Sequence, residues 1–327
     1  MHRARPTMAD VAARAGVSLK TVSRVVNGEP RVASHTAMLV MDAVRELGFR
    51  SNHAAATLAR GQSQASIGLV IGTVADPFYS RLTSGVEQVA RERGHFVLVS
   101  SSDEDPALER DITLGLAARQ VAGLIVVPCA SDQGYLSFEL AAGLAMVFVD
   151  RPPRGLAADC VLTDNETGAR EGAEHLLRLG HRRIAFVGND PAVYTSAQRL
   201  AGFRAAHADV HATVDESLIT LGPRDTAEAE QAVQALLARP DPPTAVFAQN
   251  NLITMGAWRA LHARRAAVDL VGFDDFALAD VLQPPVTVVV QDPVGLGRRA
   301  AQLLFDRLDH PDADVRLDVL PTTLLAR

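Results

Sequence analysis

Apolar residues recur at helical spacing near the start of the chain. At positions i, i+3, i+4 and i+7 stand Met8, Val11, Ala12 and Ala15. Thr7 lies three residues before Asp10, which is the spacing of a capping box, and Gly16 follows the last apolar position. The pattern predicts a short amphipathic helix over 8–15.

Two further helices are predicted by the same spacing. Ser18 is positioned to cap the second helix and Asn27 to end it, while Ser34 is positioned to cap the third. The inward positions are Val22, Val25 and Val26 in the second helix, and Ala37, Val40, Met41, Val44 and Leu47 in the third. Short helices joined by a tight Gly-Val turn predict a helix-turn-helix domain over 1–51.

A helical wheel of the second helix indicates which side chains face solvent. Opposite the valines lie Lys20, Arg24 and Asn27, with Ser23 beside them and Leu19 at the border. Lysine and arginine can donate to guanine O6 and N7 or to phosphate, and hydroxyls can donate to phosphate. Lys20 is the only lysine in the chain. We interpret it as a base contact. The alternative is that a chain which uses arginine in place of lysine has retained one lysine by chance.

The distribution of charge agrees with a DNA-binding head. The net charge is −6, but residues 1–60 carry nine Arg and Lys against four Asp and Glu. The rest of the chain therefore carries a net charge of about −11. A basic head on an acidic body suggests that the head meets a polyanion, although such charge runs are often only solvated surfaces.

Beyond residue 66 the pattern changes to alternating strands and helices. Short apolar, β-branched runs lie at 67–71, 96–99, 124–127 and 146–149, and a second series lies at 184–187, 245–248, 270–272 and 286–290. Helical segments between them lie at 80–93, 107–120, 167–179, 199–208, 227–237 and 253–263. This order predicts two parallel α/β lobes. Ligands of such sheets bind beyond the carboxyl ends of the strands, which here means between the lobes.

Composition excludes several other classes. The longest apolar run is about ten residues, half of a membrane span, and the N-terminus lacks the apolar stretch of a signal peptide. Cys129 and Cys160 are the only cysteines, and we expect free thiols in a reducing compartment. No His or Cys cluster has zinc-ligand spacing. We expect a cytoplasmic protein with no metal, no cofactor and no membrane partner.

The helix-turn-helix segment resembles the lactose-repressor/galactose-repressor (LacI/GalR) family. Residues 7–27, TMADVAARAGVSLKTVSRVVN, match its signature almost position by position. In that family the two residues after the capping serine, together with the arginine, contact bases, which implies this role for Leu19, Lys20 and Arg24. Leucine cannot hydrogen-bond, so we expect it to touch a thymine methyl or only to pack. The complete predicted DNA-contacting set is Thr7, Ser18, Leu19, Lys20, Thr21, Ser23, Arg24, Asn27 and Leu58.

The segment 52–65 corresponds to the family's hinge. Asn52 can cap and Gly61 can end a helix of about two turns, too short to be stable without a partner. The resemblance implies that it orders on the operator and that Leu58 inserts between base pairs in the minor groove, bending the duplex. An alanine-rich linker is the alternative.

The resemblance extends to residues 66–327. Its marks are IGLV at 67–70, DPFY at 76–79, GLIVV at 123–127, FVD at 148–150, GHRRIAFVG at 180–188, Arg199-x-x-Gly-Phe203, GFDD at 272–275 and PVTV at 285–288. They imply a periplasmic-binding-protein-like core of two doubly wound lobes. We place the first lobe at about 66–162 plus 292–316, and the second at about 163–291 plus 317–327.

The resemblance also implies an effector pocket. Its residues would be Phe78, Tyr79, Asp150, Thr195, Arg199, Asn250 and Asp274. The aromatic pair would form an apolar wall, the carboxylates would accept hydrogen bonds, Arg199 would donate them, and Thr195 and Asn250 would position the ligand. This chemistry suits a sugar or sugar derivative. The alternative is that Asp150 and Asp274 only cap turns, which we favour for Asp275. Arg224 aligns loosely with a position where relatives stack an aromatic ring on the sugar.

The chain departs from the family at two places. Asn251 stands where members commonly have aspartate, and 262–270 is about five residues shorter than usual, which would alter the far rim of the pocket. No heptad pattern follows the core, so a homodimer is expected rather than a tetramer.

These features together predict a dimeric DNA-binding transcription regulator, in particular a repressor, which binds a palindromic operator under the control of a small molecule. A transport-type sugar-binding protein shares the core but would need a signal peptide and no head. An enzyme is disfavoured because GxSxG, a Walker loop and a Rossmann glycine motif are all missing.

Overall fold

The structure is a computed structural model that describes residues 6–26, 32–49 and 66–327. The chain divides into two compact units, with the boundary in the sequence between residues 64 and 65. The first is helical, and the second contains two six-stranded sheets flanked by helices. The predicted fold class is therefore confirmed. Within the described ranges, no helix is long and apolar enough to cross a membrane.

The first unit contains three helices, α1 (Met8–Ala15), α2 (Leu19–Val26) and α3 (Ser34–Leu47). The predicted capping box is confirmed: Asp10 N–H donates to Thr7 Oγ1 at 3.3 Å, and Thr7 N–H donates to Asp10 Oδ2 at 2.7 Å. The predicted cap at Ser34 is wrong, because Ser34 already has helical backbone and Ala33 holds the cap position without a side-chain bond. The three helices enclose a small core of Val11, Ala12, Val22, Val40 and Ala43.

The first sheet defines the first lobe of the second unit. Its spatial order is β11 (Leu317–Leu320), β5 (Asp159–Thr163), β4 (Ala145–Val149), β3 (Gly123–Val126), β1 (Ser66–Ile71) and β2 (Phe96–Ser101), and all neighbours are parallel. Its helices are α4 (Pro77–Glu92), α5 (Pro106–Ala118) and α6 (Ser137–Ala141), together with the late helix α11 (Pro293–Asp309). The inner strands are buried along nearly their whole length, because helices cover both faces.

The second sheet defines the second lobe and repeats this order. Its strands are β12 (Thr323–Leu325), β10 (Thr287–Val290), β9 (Asp269–Phe273), β8 (Ala245–Ala248), β6 (Ile184–Gly188) and β7 (Ile219–Leu221). Only the pair β10–β12 is antiparallel. Helices α7 (Asn165–Arg178) and α8 (Tyr194–Asp209) contribute to the core on one face of the sheet, and α9 (Thr226–Leu237) and α10 (Asn251–Arg264) to that on the other.

One lobe boundary is corrected by the strand order. Sequence analysis assigns all of 317–327 to the second lobe, yet β11 pairs with β5 in the first sheet and only β12 joins the second. The four residues of β11 alternate between exposed and half-buried, a pattern that fits the edge of either sheet.

Two glycines allow helices to pack at very short distances. A Cβ on Gly85 of α4 would lie 2.1 Å from the carbonyl oxygen of Val294 in α11. A Cβ on Gly202 of α8 would lie 2.1 Å from that of Glu166 in α7. Each lobe therefore has at least one helix pair whose packing requires glycine.

Candidate functional site

A cavity of about 690 Å³ lies between the carboxyl ends of the two sheets. All seven residues of the predicted effector pocket line it: Phe78, Tyr79, Asp150, Thr195, Arg199, Asn250 and Asp274. Phe78 and Tyr79 come from α4 in the first lobe, and their rings meet edge to face with centroids 5.1 Å apart. The cavity is thus built from both lobes.

Asp150 and Asp274 occupy equivalent positions in the two lobes. Each follows a strand directly, β4 or β9, and each has left-handed backbone with φ of 71°. Asp150 N–H donates to the carbonyl of Val161 at 2.9 Å, and Asp274 N–H donates to that of Val289 at 2.8 Å. Left-handed backbone is costly for most residues, but aspartate tolerates it better than most. Both carboxylates line the cavity at this cost.

Arg199 is held rigidly on α8. Its Nε donates to Asn165 Oδ1 and its Nη1 to the carbonyl of Gln249, both at 2.8 Å. The guanidinium lies 3.7 Å from the centroid of the Phe273 ring, and its Nη1 is 3.5 Å from Asp274 Oδ2. These contacts fix a buried positive charge beside the Asp274 carboxylate.

The two carboxylates ionise less readily than exposed ones. Burial raises the pKa of Asp150 to about 6, against the opposing effects of Arg151 and Arg199. Burial also raises the pKa of Asp274, although Arg199 and a hydrogen bond from Gln291 lower it. Asp150 Oδ2 lies 3.6 Å from Arg151 Nε, too far for a hydrogen bond, and within the described chain this buried N–H has no partner. A ligand with hydroxyl groups could donate a hydrogen bond to Asp150 Oδ2 and accept one from Arg151 Nε.

Sequence analysis missed a charged network on the first lobe. Arg151 binds Glu104 through two bonds, of 2.6 and 2.8 Å, and donates to the hydroxyl of Tyr79 at 3.3 Å. Tyr79 in turn donates to Glu104 at 3.3 Å. The sequence position of these residues could have identified them, because Arg151 directly follows Asp150 and Glu104 lies just beyond the end of β2. The predicted apolar wall therefore carries a polar edge.

The polar wall of the second lobe is largely occupied by internal bonds. Asn250 caps α10 by accepting from Ile253 N–H, and its amide donates to Asn189 Oδ1 at 2.6 Å. Gln249 Oε1 accepts from Asn189 N–H at 2.6 Å and from Ser196 Oγ at 3.1 Å. Thr195 lies at the start of α8 and is buried.

Side-chain bonds also cross between the lobes. Asn251 on α10 donates to Asp76 Oδ1 on the first lobe at 3.2 Å, and Asp76 caps α4 through the same oxygen. Gln291 accepts from Thr163 at 2.6 Å and donates to Asp274. The amide of Asn251 thus makes a cross-lobe contact that an aspartate there would replace by repulsion between carboxylates.

Three further positions are located by the structure. Asp275 does not line the cavity; it binds Arg327 through two bonds of 3.0 Å and accepts from Phe276 N–H. Arg224 does line it. The expectation that the shortened segment 262–270 alters the far rim is wrong, since this segment runs from the end of α10 into the first residues of β9 and so lies at the opposite end of the sheet.

The exposed face of α2 carries the predicted DNA-contacting side chains. Lys20 and Arg24 are exposed, as is Leu19. Ser18 accepts from Thr21 N–H at 3.1 Å, and the two hydroxyls lie 2.8 Å apart, so both side chains help to start the helix. Thr7 has the same role in α1, and Ser23 is half-buried. Asn27 and Leu58 lie outside the described residues.

A helix-turn-helix unit joined to a two-lobed core with a polar cavity is the organisation of a ligand-responsive DNA-binding protein. The family model for bacterial regulatory proteins of the lacI family matches residues 7–52, and that for a periplasmic binding protein-like domain matches residues 173–327. The transcriptional regulator GalR of Salmonella typhimurium is 32% identical over 301 residues, which cover 91% of this chain and 88% of that protein. The chain belongs to the LacI/GalR family of transcription regulators and is not an enzyme.

Solved structures agree with this assignment. The lac repressor dimer bound to operator and the anti-inducer ONPF has a TM-score of 0.86 at 28% identity, over 99% of this chain and 98% of that one. A complex of the transcriptional regulator CelR with cellobiose has a TM-score of 0.73 at 31% identity, over 99% of both chains. Both similarities span the head and the core.

Proposed function

We propose that this protein is a repressor that binds a palindromic operator as a homodimer and is controlled by a sugar or sugar derivative. The observation that carries the proposal is the cavity between the lobes, where Asp150 and Asp274 are buried carboxylates with raised pKa values. The operator would be bound by the head, where Lys20 and Arg24 are exposed on α2.

The chemistry of the cavity favours a polyhydroxyl ligand. Sugar hydroxyls can donate to Asp150 and Asp274, while an oxygen of the sugar can accept from Arg151 Nε. Phe78 offers an apolar surface to the C–H face of a sugar ring. The solved complex of the similar regulator CelR with cellobiose supports the same class of ligand.

A second copy of the chain is the expected partner. Strand β2 lies at the edge of the first sheet and exposes 75% of Phe96 and 40% of Leu98. Large apolar side chains on an unpaired edge mark an interaction surface. The similar lac repressor structure is a dimer on its operator. A regulator that binds the chromosome must share its compartment, so we expect the protein in the cytoplasm.

The switch that we propose acts through the hinge. A ligand can change operator affinity only through different affinities for two arrangements of the lobes. Asp150 belongs to the first lobe, and Arg199 and Asp274 to the second, so a ligand that contacts all three favours one arrangement. The segment 52–65 connects the head to β1 of the first lobe. A change in lobe angle would alter the pairing of two hinges, with Leu58 as the wedge in the minor groove.

Selection on random duplexes tests the DNA-binding half of the proposal. We expect a symmetric site with two half-sites, and an affinity that falls steeply with salt. Lys20→Ala is expected to relax the preference at one base pair per half-site, at a cost of about 1–3 kcal/mol. Arg45→Ala, on the exposed side of α3, is the matched loss of charge and should keep the preference. Failure to enrich a symmetric site would refute the proposal.

A sugar panel tests the ligand half. We expect one sugar to change operator affinity, by about 1–3 kcal/mol of coupling. Arg199→Ala and Asp274→Asn should abolish that response. Both variants should still bind the operator without ligand, which shows that they are folded. Arg204→Ala, on the exposed side of the same helix, should respond as wild type. Full response in the cavity variants would refute the pocket.

The bend measured between labelled operator ends tests the hinge. Leu58→Ala is expected to reduce it without changing sugar affinity. An unchanged bend would mean that 52–65 is only a tether.

A further inference from the structure

A second cavity, of about 580 Å³, lies at the other end of the second lobe. We name it the distal pocket; its lining includes His175, Trp258, His262, Arg265, Asp269 and Val286. It opens at the amino ends of β9 and β10, whereas the effector cavity lies beyond the carboxyl ends of the same strands. The two cavities share no lining residue. Its size is within the range of small-molecule sites.

The walls of the distal pocket are aromatic and apolar. The rings of Trp258 and His262 on α10 are stacked, with centroids 4.6 Å apart and planes 15° from parallel. On α7, burial lowers the pKa of His175, so its ring is uncharged near neutral pH and adds a further flat surface. The deeper walls are buried aliphatic side chains, among them Leu261 and Val286. Such a lining favours a flat, apolar ring system.

The lining of the distal pocket includes two arginines and one aspartate. Asp269 Oδ2 lies 2.8 Å from His181 Nε2, which is an ion pair only when the imidazole is protonated, and Arg327 is paired with Asp275. Arg265 ends α10 in left-handed backbone with φ of 49°, and it is exposed. Of the two arginines in the lining, Arg265 is the one without an ion pair in the described part of the chain. The pocket therefore offers a positive charge beside an aromatic wall.

We propose that the distal pocket binds a planar aromatic carboxylate. Its ring would lie against Trp258 and His262, and its carboxylate would pair with Arg265, whose planar guanidinium suits bidentate binding. This site is separate from the sugar site proposed above and requires neither DNA nor sugar. It would give the protein a second small-molecule input on the lobe that carries Arg199 and Asp274.

The single tryptophan of the chain makes the proposal testable, because Trp258 lies in the pocket. The full-length protein is titrated with 2-naphthoate, while tryptophan emission and heat of binding are recorded. We expect saturable quenching, and at least fivefold weaker binding of the neutral comparator 2-naphthamide. Naphthoate that leaves the emission unchanged and releases no saturable heat would overturn the proposal.

Variants separate the pocket from nonspecific adsorption. Arg265→Ala is expected to weaken naphthoate binding about tenfold, whereas Arg264→Ala removes the adjacent exposed charge, which does not line the pocket, and should bind as wild type. In calorimetry, Trp258→Ala should no longer bind naphthoate. An unchanged operator affinity of this variant shows that it is folded. Equal binding by both arginine variants would overturn the anion assignment.

Acrylamide quenching tests whether a second copy fills the pocket instead. Trp258 should be quenched equally in dilute and concentrated protein. Protection that appears only at high concentration would show that the dimer covers the pocket, and would overturn the proposal. None of these measurements uses the sugar, so their failure leaves the proposed function intact.

Discussion

Replacing Asn251 by aspartate would convert a contact between the lobes into a repulsion. The amide of Asn251 donates to Asp76 Oδ1 at 3.2 Å, and Asn251 itself is buried. Asp76 is also close enough to raise the pKa of Asp274, so a new carboxylate would join two existing ones. The expected result of Asn251→Asp is a less stable core whose lobes separate more readily.

The magnitude follows from the distance. Two unit charges 3.2 Å apart repel by about 5 kcal/mol at an effective dielectric constant of 20, and by about 1 kcal/mol in water. Asp76 is half-buried, so the repulsion energy lies between these two limits. The position at the start of α10 favours a negative charge by about 0.3–1 kcal/mol, which offsets only part of the repulsion. Asn251→Asp should therefore be about 1–4 kcal/mol less stable than Asn251→Ala, which loses the same hydrogen bond without adding charge.

Calorimetric melting of both variants at several pH values provides the assay. The repulsion raises the pKa of the new carboxyl in the folded state, so its cost is present above that pKa and disappears as the pH falls below about 4. Each kcal/mol corresponds to a few degrees in the melting point of a domain of this size. Equal melting points of the two variants at pH 7.5, or a gap that persists at pH 4, would refute the reasoning.

Three further outcomes are expected. Because the pKa of Asp150 is raised to about 6, its ionised form lowers the stability of the folded state above pH 6 and not below about pH 4. In urea unfolding, Asp150→Asn should therefore raise the free energy of unfolding by on the order of 3 kcal/mol at pH 7.5 and leave it unchanged at pH 4. An equal increase at both pH values would contradict this. Gly202→Ala should lower the melting point of the core by at least the equivalent of about 1–3 kcal/mol, since its Cβ would meet the carbonyl of Glu166 at 2.1 Å, so an unchanged melting point would be inconsistent with that packing. Thr7→Ala should destabilise the head by about 0.5–2 kcal/mol because the hydrogen bond from Asp10 N–H is lost, whereas Thr7→Ser should keep this bond and the stability. Amide hydrogen exchange of the head measures both, and an equal loss of stability in the two variants would count against the capping box.

Most helices and central strands of this protein were predictable because their patterns repeat over many residues, although the buried strand β5 and the helices α6 and α11 were not predicted. The helix of the head that begins after Thr7 and the buried strands β1, β3, β4 and β8 lie where periodicity indicated. The edge strands β7, β11 and β12 were not predicted, since three or four half-exposed residues carry too weak a pattern. The sheet joined by β11 is decided by tertiary packing, which a local pattern does not encode.

The cavity was predictable wherever a polar residue follows a strand directly. Asp150 and Asp274 are examples, because the carboxyl ends of parallel strands meet at one edge of each sheet. The partnership of Glu104 with Arg151 was not predictable, since it depends on left-handed backbone at Glu104, with φ of 57°, and on the fit of two long side chains. The bond between Asp76 and Asn251 depends on the angle between lobes, which no single segment encodes.

The internal bonds of the cavity indicate how a ligand would be selected. Arg199 and Asn250 already have protein partners, which fix the orientation of the remaining N–H groups that they offer to a ligand. Asp150 differs, because burial raises its pKa and the nearest Arg151 nitrogen is 3.6 Å away. A hydroxyl that donates to Asp150 relieves this cost, whereas a ligand lacking that hydroxyl leaves a buried carboxylate unsatisfied. Discrimination against deoxy analogues should therefore exceed discrimination by ring size, since an unsatisfied buried polar group costs more than a missing methylene group.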